Sequence, residues 1–186
     1  MTSNTRVMIR EATVNDLEIL TKIIRNSFLD VARRFSLTED NCPKHPSNCT
    51  TSWIESDFAR GVQYFILEVD ENPIGCVGIE SPTKDLCYLE RLSVLPNMRG
   101  KYFGVSLVRH ALKMAESKDA TKVSIGIIAE HIELKEWYQQ LGFVETQTKS
   151  FPHLPFKVCL MEFNIKKSTN HSEKLKSRLS LCQKKN

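Results

Sequence analysis

A long strand that leads through a glycine-containing loop into an amphipathic helix is the feature that most constrains this fold. The strand is predicted over Leu86 to Leu95 and ends at Pro96, and the helix is predicted over Val105 to Ser117. A short apolar strand, Val123 to Ile128, follows the helix. Strand, helix and strand in this order predict a crossover that joins two parallel strands of one sheet.

Antiparallel pairs are predicted on either side of this crossover. Two β-rich runs, 62–69 and 74–80, surround the turn Asp70 to Pro73 and predict a hairpin. Thr13 and Asp16 form a capping pattern ahead of a helix that begins near Leu17. The remaining predicted elements are a strand at Val7 to Arg10, helices at Ser52 to Arg60 and Ile132 to Leu141, and strands at Phe143 to Thr148 and Phe156 to Ile165. We therefore expect an α/β or α+β fold with a mixed sheet.

The composition of the chain indicates a globular protein rather than a disordered one. Of its 186 residues, 41% are hydrophobic and 26% are charged, which is enough for one domain with a substantial core. The net charge of +4 is unevenly spread, because residues 166–186 contain seven basic side chains against Glu173 alone. We predict a domain at 1–165, slightly acidic, and a basic C-terminal tail at 166–186 that is either a short helix or disordered.

No segment has the pattern of a signal peptide or of a membrane-spanning helix, so we expect a cytoplasmic protein without a membrane partner. Six cysteines lie mostly alone within apolar runs, as reduced buried thiols do. Cys42, His45 and Cys49 lie close together on a proline-rich loop but are one ligand short of a zinc set, and we expect no metal.

The loop between the strand and the helix is a predicted anion site. Unpaired backbone N–H groups and the positive end of the helix converge there, and Arg99 and Lys101 add positive charge, an arrangement that suits a pyrophosphate. A P-loop is excluded, because Leu95 stands where the first glycine would be and Tyr102 follows Lys101. The two glycines, Gly100 and Gly104, are equally compatible with a tight turn and close helix packing without a ligand.

Two motifs occur in a fixed order along the chain, and together they indicate a protein family more specifically than the loop does alone. The segment Arg99 to Gly104, RGKYFG, is similar to Arg/Gln-x-x-Gly-x-Gly/Ala and follows Leu-x-Val at Leu92 to Val94. The segment His131 to Phe143, ending in EWYQQLGF, is similar to Asn-x-x-Ala-x-x-x-Tyr-x-x-x-Gly-Phe, with His131 at the Asn position and Leu134 at the Ala position. In both motifs, and over most of Val7 to Ile165, the chain resembles the GNAT superfamily of acyl-CoA-dependent N-acetyltransferases.

The resemblance implies a mostly antiparallel sheet of six to seven strands, flanked by about four helices and splayed at a cofactor cleft. It implies acetyl-CoA as co-substrate, no metal, and cofactor binding by residues of the two motifs. These candidates are Leu92, Ser93, Val94, Arg99, Gly100, Lys101, Tyr102, Phe103, Gly104, Val105 and His131. Tyr102 replaces the inner glycine and is tolerable there if its backbone is helical, with its ring either over the cofactor or packed outward.

Acetyl transfer to an amine needs a base and an acid. An alkylamine with a pKa near 10.4 is protonated at pH 7, and deprotonating it costs roughly 4 to 5 kcal/mol. Glu90 is the candidate base, because it lies two residues before Leu92 and therefore on the same face of an ideal strand; otherwise it is an exposed carboxylate paired with Arg91 or Lys84. Tyr138 stands where the family usually keeps its general acid, and its alternative role is packing beside Trp137.

We expect an N-acetyltransferase that acts on a primary amine of a small molecule or a peptide by direct transfer in a ternary complex. The alternative is a non-catalytic acyl-CoA-binding sensor or interaction module that uses its basic tail. Nucleic acid is disfavoured as a partner because no aromatic residue interleaves the tail lysines. Arg33, Arg34, Asp40 and His45 either line the acceptor pocket or remain solvated. The oligomeric state stays open, a homodimer included.

Overall fold

Seven strands form one sheet, and four helices are interspersed among them along the part of the chain that the structure describes. The structure is a computed structural model that describes residues 5–165, and the predicted basic tail at 166–186 lies outside the described residues. The strands are β1 (Val7–Glu11), β2 (Gln63–Val69), β3 (Asn72–Glu80), β4 (Leu86–Val94), β5 (Lys122–Ile128), β6 (Val144–Ser150) and β7 (Lys157–Asn164). The helices are α1 (Leu17–Arg34), α2 (Thr51–Ala59), α3 (Phe103–Ser117) and α4 (Ile132–Gln140).

The strand order is β1-β2-β3-β4-β5-β7-β6. Among the described strands only β4 and β5 pair in parallel, and the other neighbours are antiparallel. The long crossover through α3 requires that parallel pair, and the short turns elsewhere favour antiparallel pairing. The predicted mixed, mostly antiparallel sheet with about four helices is confirmed.

The core lies on both faces of this sheet. On one face α1 and α2 bury Leu20, Ile24 and Ile54 against the sheet. On the other face α3 and α4 bury Leu107 and Tyr138 in a larger cluster. Because both faces are covered, the ends of the central strands are the places where a ligand reaches the sheet.

Local sequence signals account for most element boundaries. The predicted capping box is present, with Thr13 accepting from the Asn15 N–H and Asp16 accepting from the Thr13 N–H at 2.8 Å. α3 begins two residues earlier than expected, at Phe103. α1 continues to Arg34, because Ala32 packs with Leu37 and neighbouring side chains in a third apolar cluster.

The cysteines that the structure describes form no disulfide bonds. Cys42, Cys49, Cys76, Cys87 and Cys159 are buried and unbridged. Within residues 5–165 no helix is both long and apolar enough to cross a membrane.

Candidate active site

A cleft opens where β4 and β5 separate. The two strands pair only from Leu86 to Tyr88 with Lys122 to Ser124, and beyond these residues they diverge. The separation exposes the β5-facing backbone edge of β4 from Leu89 onward, and the cavity there has a volume of about 1220 Å³. A typical site for one small ligand measures roughly 300–1,000 Å³. The cleft therefore has room for a large cofactor together with a second ligand.

The loop before α3 closes one end of the cleft. Gly100 has a φ of +77° and Tyr102, which caps α3, has a φ of +63°. The Tyr102 side chain makes no capping hydrogen bond. It thus leaves the first N–H groups of α3 available to an anion. The backbone of Tyr102 is left-handed rather than helical, in the region that glycine adopts without strain, and the residue is 77% exposed at the edge of the cleft.

Most candidate residues from the sequence meet in this cleft. Those that line it are Leu92, Val94, Arg99, Gly100, Tyr102, Phe103, Gly104, Val105, His131 and Tyr138. Glu90, Ser93 and Lys101 are not among the lining residues. Ser93 is buried and its hydroxyl donates to the Arg91 carbonyl oxygen at 2.9 Å. Its side chain therefore supports the strand instead of facing a ligand.

A β-bulge in β4 explains the position of Glu90. Cys76 pairs with Ser93 but Gly78 pairs with Glu90, so β4 contains one extra residue there. Arg91, within the bulge, has a φ of +49°. The extra residue reverses the alternation of side chains. Leu89 and Leu92 consequently both face the cleft. The prediction that Glu90 and Leu92 lie on the same face of the strand is wrong.

Glu90 lies instead in a group of charged side chains on the α2 side of the sheet. Its carboxylate pairs with Arg60 at 3.4 Å, and Arg60 also contacts Glu80 at 3.1 Å. Burial raises the pKa of Glu90 to about 7; the charge of Arg60 opposes this shift and the charge of Glu80 reinforces it. Glu90 is therefore a carboxylate with a basicity suited to accepting a proton near neutral pH.

Asp57 holds the bulge in place. This carboxylate is almost fully buried; it forms an ion pair with Arg91 at 2.9 Å and accepts a hydrogen bond from the Tyr64 hydroxyl at 2.7 Å. Arg60 contacts it at 3.1 Å. Three donors around one buried carboxylate satisfy the charge that burial would otherwise destabilise. Arg91 thus lines the cleft with its charge compensated from behind.

Tyr138 lies on α4 and faces the cleft from the opposite side. Its ring is buried between Trp137 and Phe143, with ring centroids 4.8 Å and 5.3 Å away. Burial raises the pKa of the phenol above its usual value. The hydroxyl therefore stays protonated at neutral pH and is available as a proton donor.

Arg99 joins the loop to α1 and is not a free phosphate ligand. Its guanidinium pairs with Asp30 and donates to the carbonyl oxygens of Ser27 at 2.6 Å and Val94 at 3.1 Å. Burial opposes the ionisation of Asp30, but the hydrogen bond and charge of Arg99 outweigh it and lower the pKa of that carboxyl. The sequence predicts that Arg99 adds charge to the anion site, but part of its hydrogen-bonding capacity is used by α1.

His131 caps α4 where the second motif usually has Asn. Its Nδ1 accepts from the Leu134 N–H at 3.4 Å, and its ring packs on Phe35 at 5.6 Å. Burial, together with the charge of Arg34, lowers the pKa of His131. The neutral imidazole replaces the capping function of Asn and keeps the start of α4 in place.

The sequence interpretation missed several cleft residues. Arg109 lies one helical turn after Val105 on α3, so the spacing of that helix marks it as a second cation on the cleft side. Ser27 and Phe28 line the cleft from α1, and nothing in the local sequence signals their role. Among the four residues left open, His45 lines the cleft, whereas Arg33, Arg34 and Asp40 are not among the lining residues.

Within residues 5–165 no cluster of His, Cys, Asp and Glu side chains has the arrangement of a metal site.

Comparisons with known proteins agree on the kind of fold. The family model described as "Acetyltransferase (GNAT) family" matches residues 28–143. A crystal structure of an N-acetyltransferase from Staphylococcus aureus superposes with a TM-score of 0.67 at 18% identity, covering 87% of this chain and 99% of that one. The PaiA N-acetyltransferase from Thermoplasma acidophilum, in complex with coenzyme A, superposes with a TM-score of 0.68 at 17% identity, covering 86% and 99%. No curated protein sequence matches significantly.

Proposed function

The chain belongs to the GNAT acetyltransferase family, and on that premise we propose that it is an N-acetyltransferase that moves an acetyl group from acetyl-CoA directly to a primary amine. Family membership supports acyl transfer from a CoA thioester. The acceptor, a small molecule or a peptide with a free amine, and the direct transfer in a ternary complex are part of the proposal.

The separation of β4 from β5 is the observation that carries this proposal. It leaves the backbone of Leu92 and Val94 along an open cleft, where an amide-containing chain can pair as an additional strand would. The same cleft ends at the uncapped N-terminus of α3, and Arg109 adds positive charge on its wall. A ligand with amide groups at one end and a pyrophosphate at the other fits these features, and acetyl-CoA is such a ligand.

Acetyl-CoA supplies the activated thioester, and the chain supplies proton transfer and positioning. Tyr138 gives its phenolic proton to the sulfur that leaves; its raised pKa keeps the hydroxyl protonated until that step. Glu90 receives the proton that the attacking amine releases, through water, because its carboxylate does not line the cleft. A pKa of about 7 lets Glu90 be both ionised and basic at neutral pH.

Incubation of the full-length protein with acetyl-CoA and a panel of primary amines tests the proposal, with free CoA and the acetylated amine measured by chromatography and mass spectrometry. The proposal requires both products in equal amounts for at least one amine. Saturable acetyl-CoA binding without product from any amine would favour the sensor function instead.

A further inference from the structure

The end of the cleft that is lined by α1, the loop before α2 and Phe156 is largely apolar. α1 contributes Phe28 and Val31, the loop before α2 contributes Pro46, β4 contributes Leu92, and Phe156 closes the far side. Val31 and Phe156 belong to the third apolar cluster together with Ala32, Leu37 and Ile128. Since the N-terminus of α3 and Arg109 are assigned to the pyrophosphate, this apolar end is where the acceptor would lie.

The charges around this end are positive or already compensated. Arg91 and Arg99 are the nearby cations, paired with Asp57 and Asp30 respectively. Glu133 is the sole carboxylate among the described residues that line the cleft. Both of its oxygens already accept from Arg34, at 3.0 Å and 2.8 Å. An acceptor with a second ammonium group would find no free counter-ion here, and burying an unpaired charge is strongly unfavourable.

Two polar groups at this end have capacity for a ligand. The Ser27 hydroxyl is buried and has no hydrogen-bond partner among the described residues, although Ser27 lines the cleft. His45 also lines the cleft, and its Nδ1 lies 2.8 Å from the Ser47 hydroxyl, which orients the ring. Burial lowers the pKa of His45, so this ring is neutral at pH 7. Both groups suit a neutral hydrogen-bonding ligand such as a deprotonated amine.

We propose that the acceptor is a primary monoamine on an uncharged apolar body, such as an arylalkyl or alkyl amine, and that polyamines and other polycations are excluded. This inference rests on the proposed function. Ser27 would hydrogen-bond the amine and Phe28 would contact its apolar body. The apolar surroundings also disfavour the ammonium form and so ease the loss of its proton.

Initial rates with phenethylamine, spermidine, kanamycin and a short uncharged peptide with a free N-terminus test the inference on the full-length protein. We expect kcat/KM for phenethylamine to exceed the values for spermidine and kanamycin by at least about tenfold, because these cations must bury unpaired charge. Comparable or faster acetylation of a polycation, or acetylation of the peptide alone, would overturn the inference and leave acetyl transfer standing. Absence of product with all four amines would instead count against the proposed function itself.

A charge introduced at the apolar end sharpens the test. Val31→Asp places a carboxylate on the cleft wall, whereas Leu29→Asp places one on the same helix at a side chain that is 39% exposed and not among the lining residues. We expect Val31→Asp to lower the ratio of phenethylamine to spermidine kcat/KM by at least about tenfold, and Leu29→Asp to leave it unchanged. An equal ratio in the two variants would contradict the assignment of this end to the acceptor.

Discussion

The Arg99 guanidinium donates to the Ser27 carbonyl oxygen at 2.6 Å, which joins the loop before α3 to the middle of α1. The same guanidinium pairs with Asp30 one turn further along α1. The loop belongs to the proposed cofactor end of the cleft, and α1 forms one wall of the proposed acceptor end. One side chain therefore sets the position of both ends relative to each other.

Replacement of Arg99 should consequently affect both substrates. We expect Arg99→Ala to raise KM for acetyl-CoA and for the amine, each by about tenfold, the size of a lost charge-assisted hydrogen bond. Asp30→Ala should shift the same two constants in the same direction but less, because the pair is partly exposed and the bonds to the carbonyl oxygens remain. An increase in KM for acetyl-CoA alone would show that Arg99 acts only on the cofactor.

Arg109 lines the cleft, whereas Lys101 is not among the lining residues, so the two cations can be compared. Arg109→Ala should raise KM for acetyl-CoA by roughly tenfold, as expected for the loss of a charged hydrogen bond to a phosphate group. Lys101→Ala also removes one positive charge, from the loop before α3, but should change KM for acetyl-CoA little, since exposed charges are screened by solvent. Equal effects in steady-state kinetics would contradict the placement of the anion site along α3.

Tyr102 carries backbone strain that glycine would relieve. A side chain in the left-handed region costs roughly 1 kcal/mol or more. Its φ is +63° and its ring is exposed, so little packing is lost when the ring is removed. We expect Tyr102→Gly to raise the free energy of unfolding by about 1 kcal/mol in urea denaturation. Tyr102→Ala keeps the Cβ atom and should not stabilise the protein. If Tyr102→Ala stabilises the protein as much as Tyr102→Gly does, the cause is removal of the ring and not relief of backbone strain.

The pKa of Glu90 predicts the pH dependence of turnover. In the native protein kcat should rise with pH through about 7 as this carboxylate loses its proton. Glu90→Gln should abolish that rise and lower kcat by about 10²-fold, the usual contribution of a general base. Glu80→Gln should retain turnover and move the rise to lower pH, because the charge of Glu80 helps to raise the pKa of Glu90.

Stability should follow the same ionisation with a defined sign. The native pKa of Glu90 lies above its ordinary value of 4.5, so the fold favours the protonated form and loses stability as pH rises from that value through about 7. Over this window the free energy of unfolding of the wild type should fall relative to that of Glu90→Gln. A constant difference between the two proteins would show that folding does not raise the pKa of Glu90.

Tyr138→Phe tests the proposed acid with little structural change. The variant keeps the ring between Trp137 and Phe143 and removes only the hydroxyl. We expect kcat to fall by about 10²-fold while KM for acetyl-CoA and Tm stay nearly constant. Tyr88→Phe, on β4 but outside the lining residues, is the matched control and should keep full activity. Full turnover by Tyr138→Phe would remove this hydroxyl from the mechanism.

The sequence was sufficient for the elements and for the cofactor end of the cleft. Hydrophobic periodicity predicts the strands and helices, and the two motifs lie on either side of the crossover that splits the sheet. Glu90 shows the limit of this reasoning. Strand alternation predicts one face for its side chain, but the bulge at Arg91 reverses the alternation without any glycine or proline within β4 to signal it.

The acceptor end could not be predicted for a different reason. Ser27 lies on α1 and Phe156 lies just before β7, so tertiary packing alone brings them to one wall of the cleft. The left-handed backbone of Tyr102 was equally hidden, because a non-glycine residue at positive φ is imposed by the loop around it and not by its own preference.

Calorimetric titration of the full-length protein with acetyl-CoA alone tests the central claim most directly, since every later step depends on a cofactor in the cleft between β4 and β5. The account predicts saturable binding of one acetyl-CoA per chain, weakened in Arg109→Ala, together with a rise in Tm at saturation. The absence of both binding heat and thermal stabilisation would contradict the account at its first step.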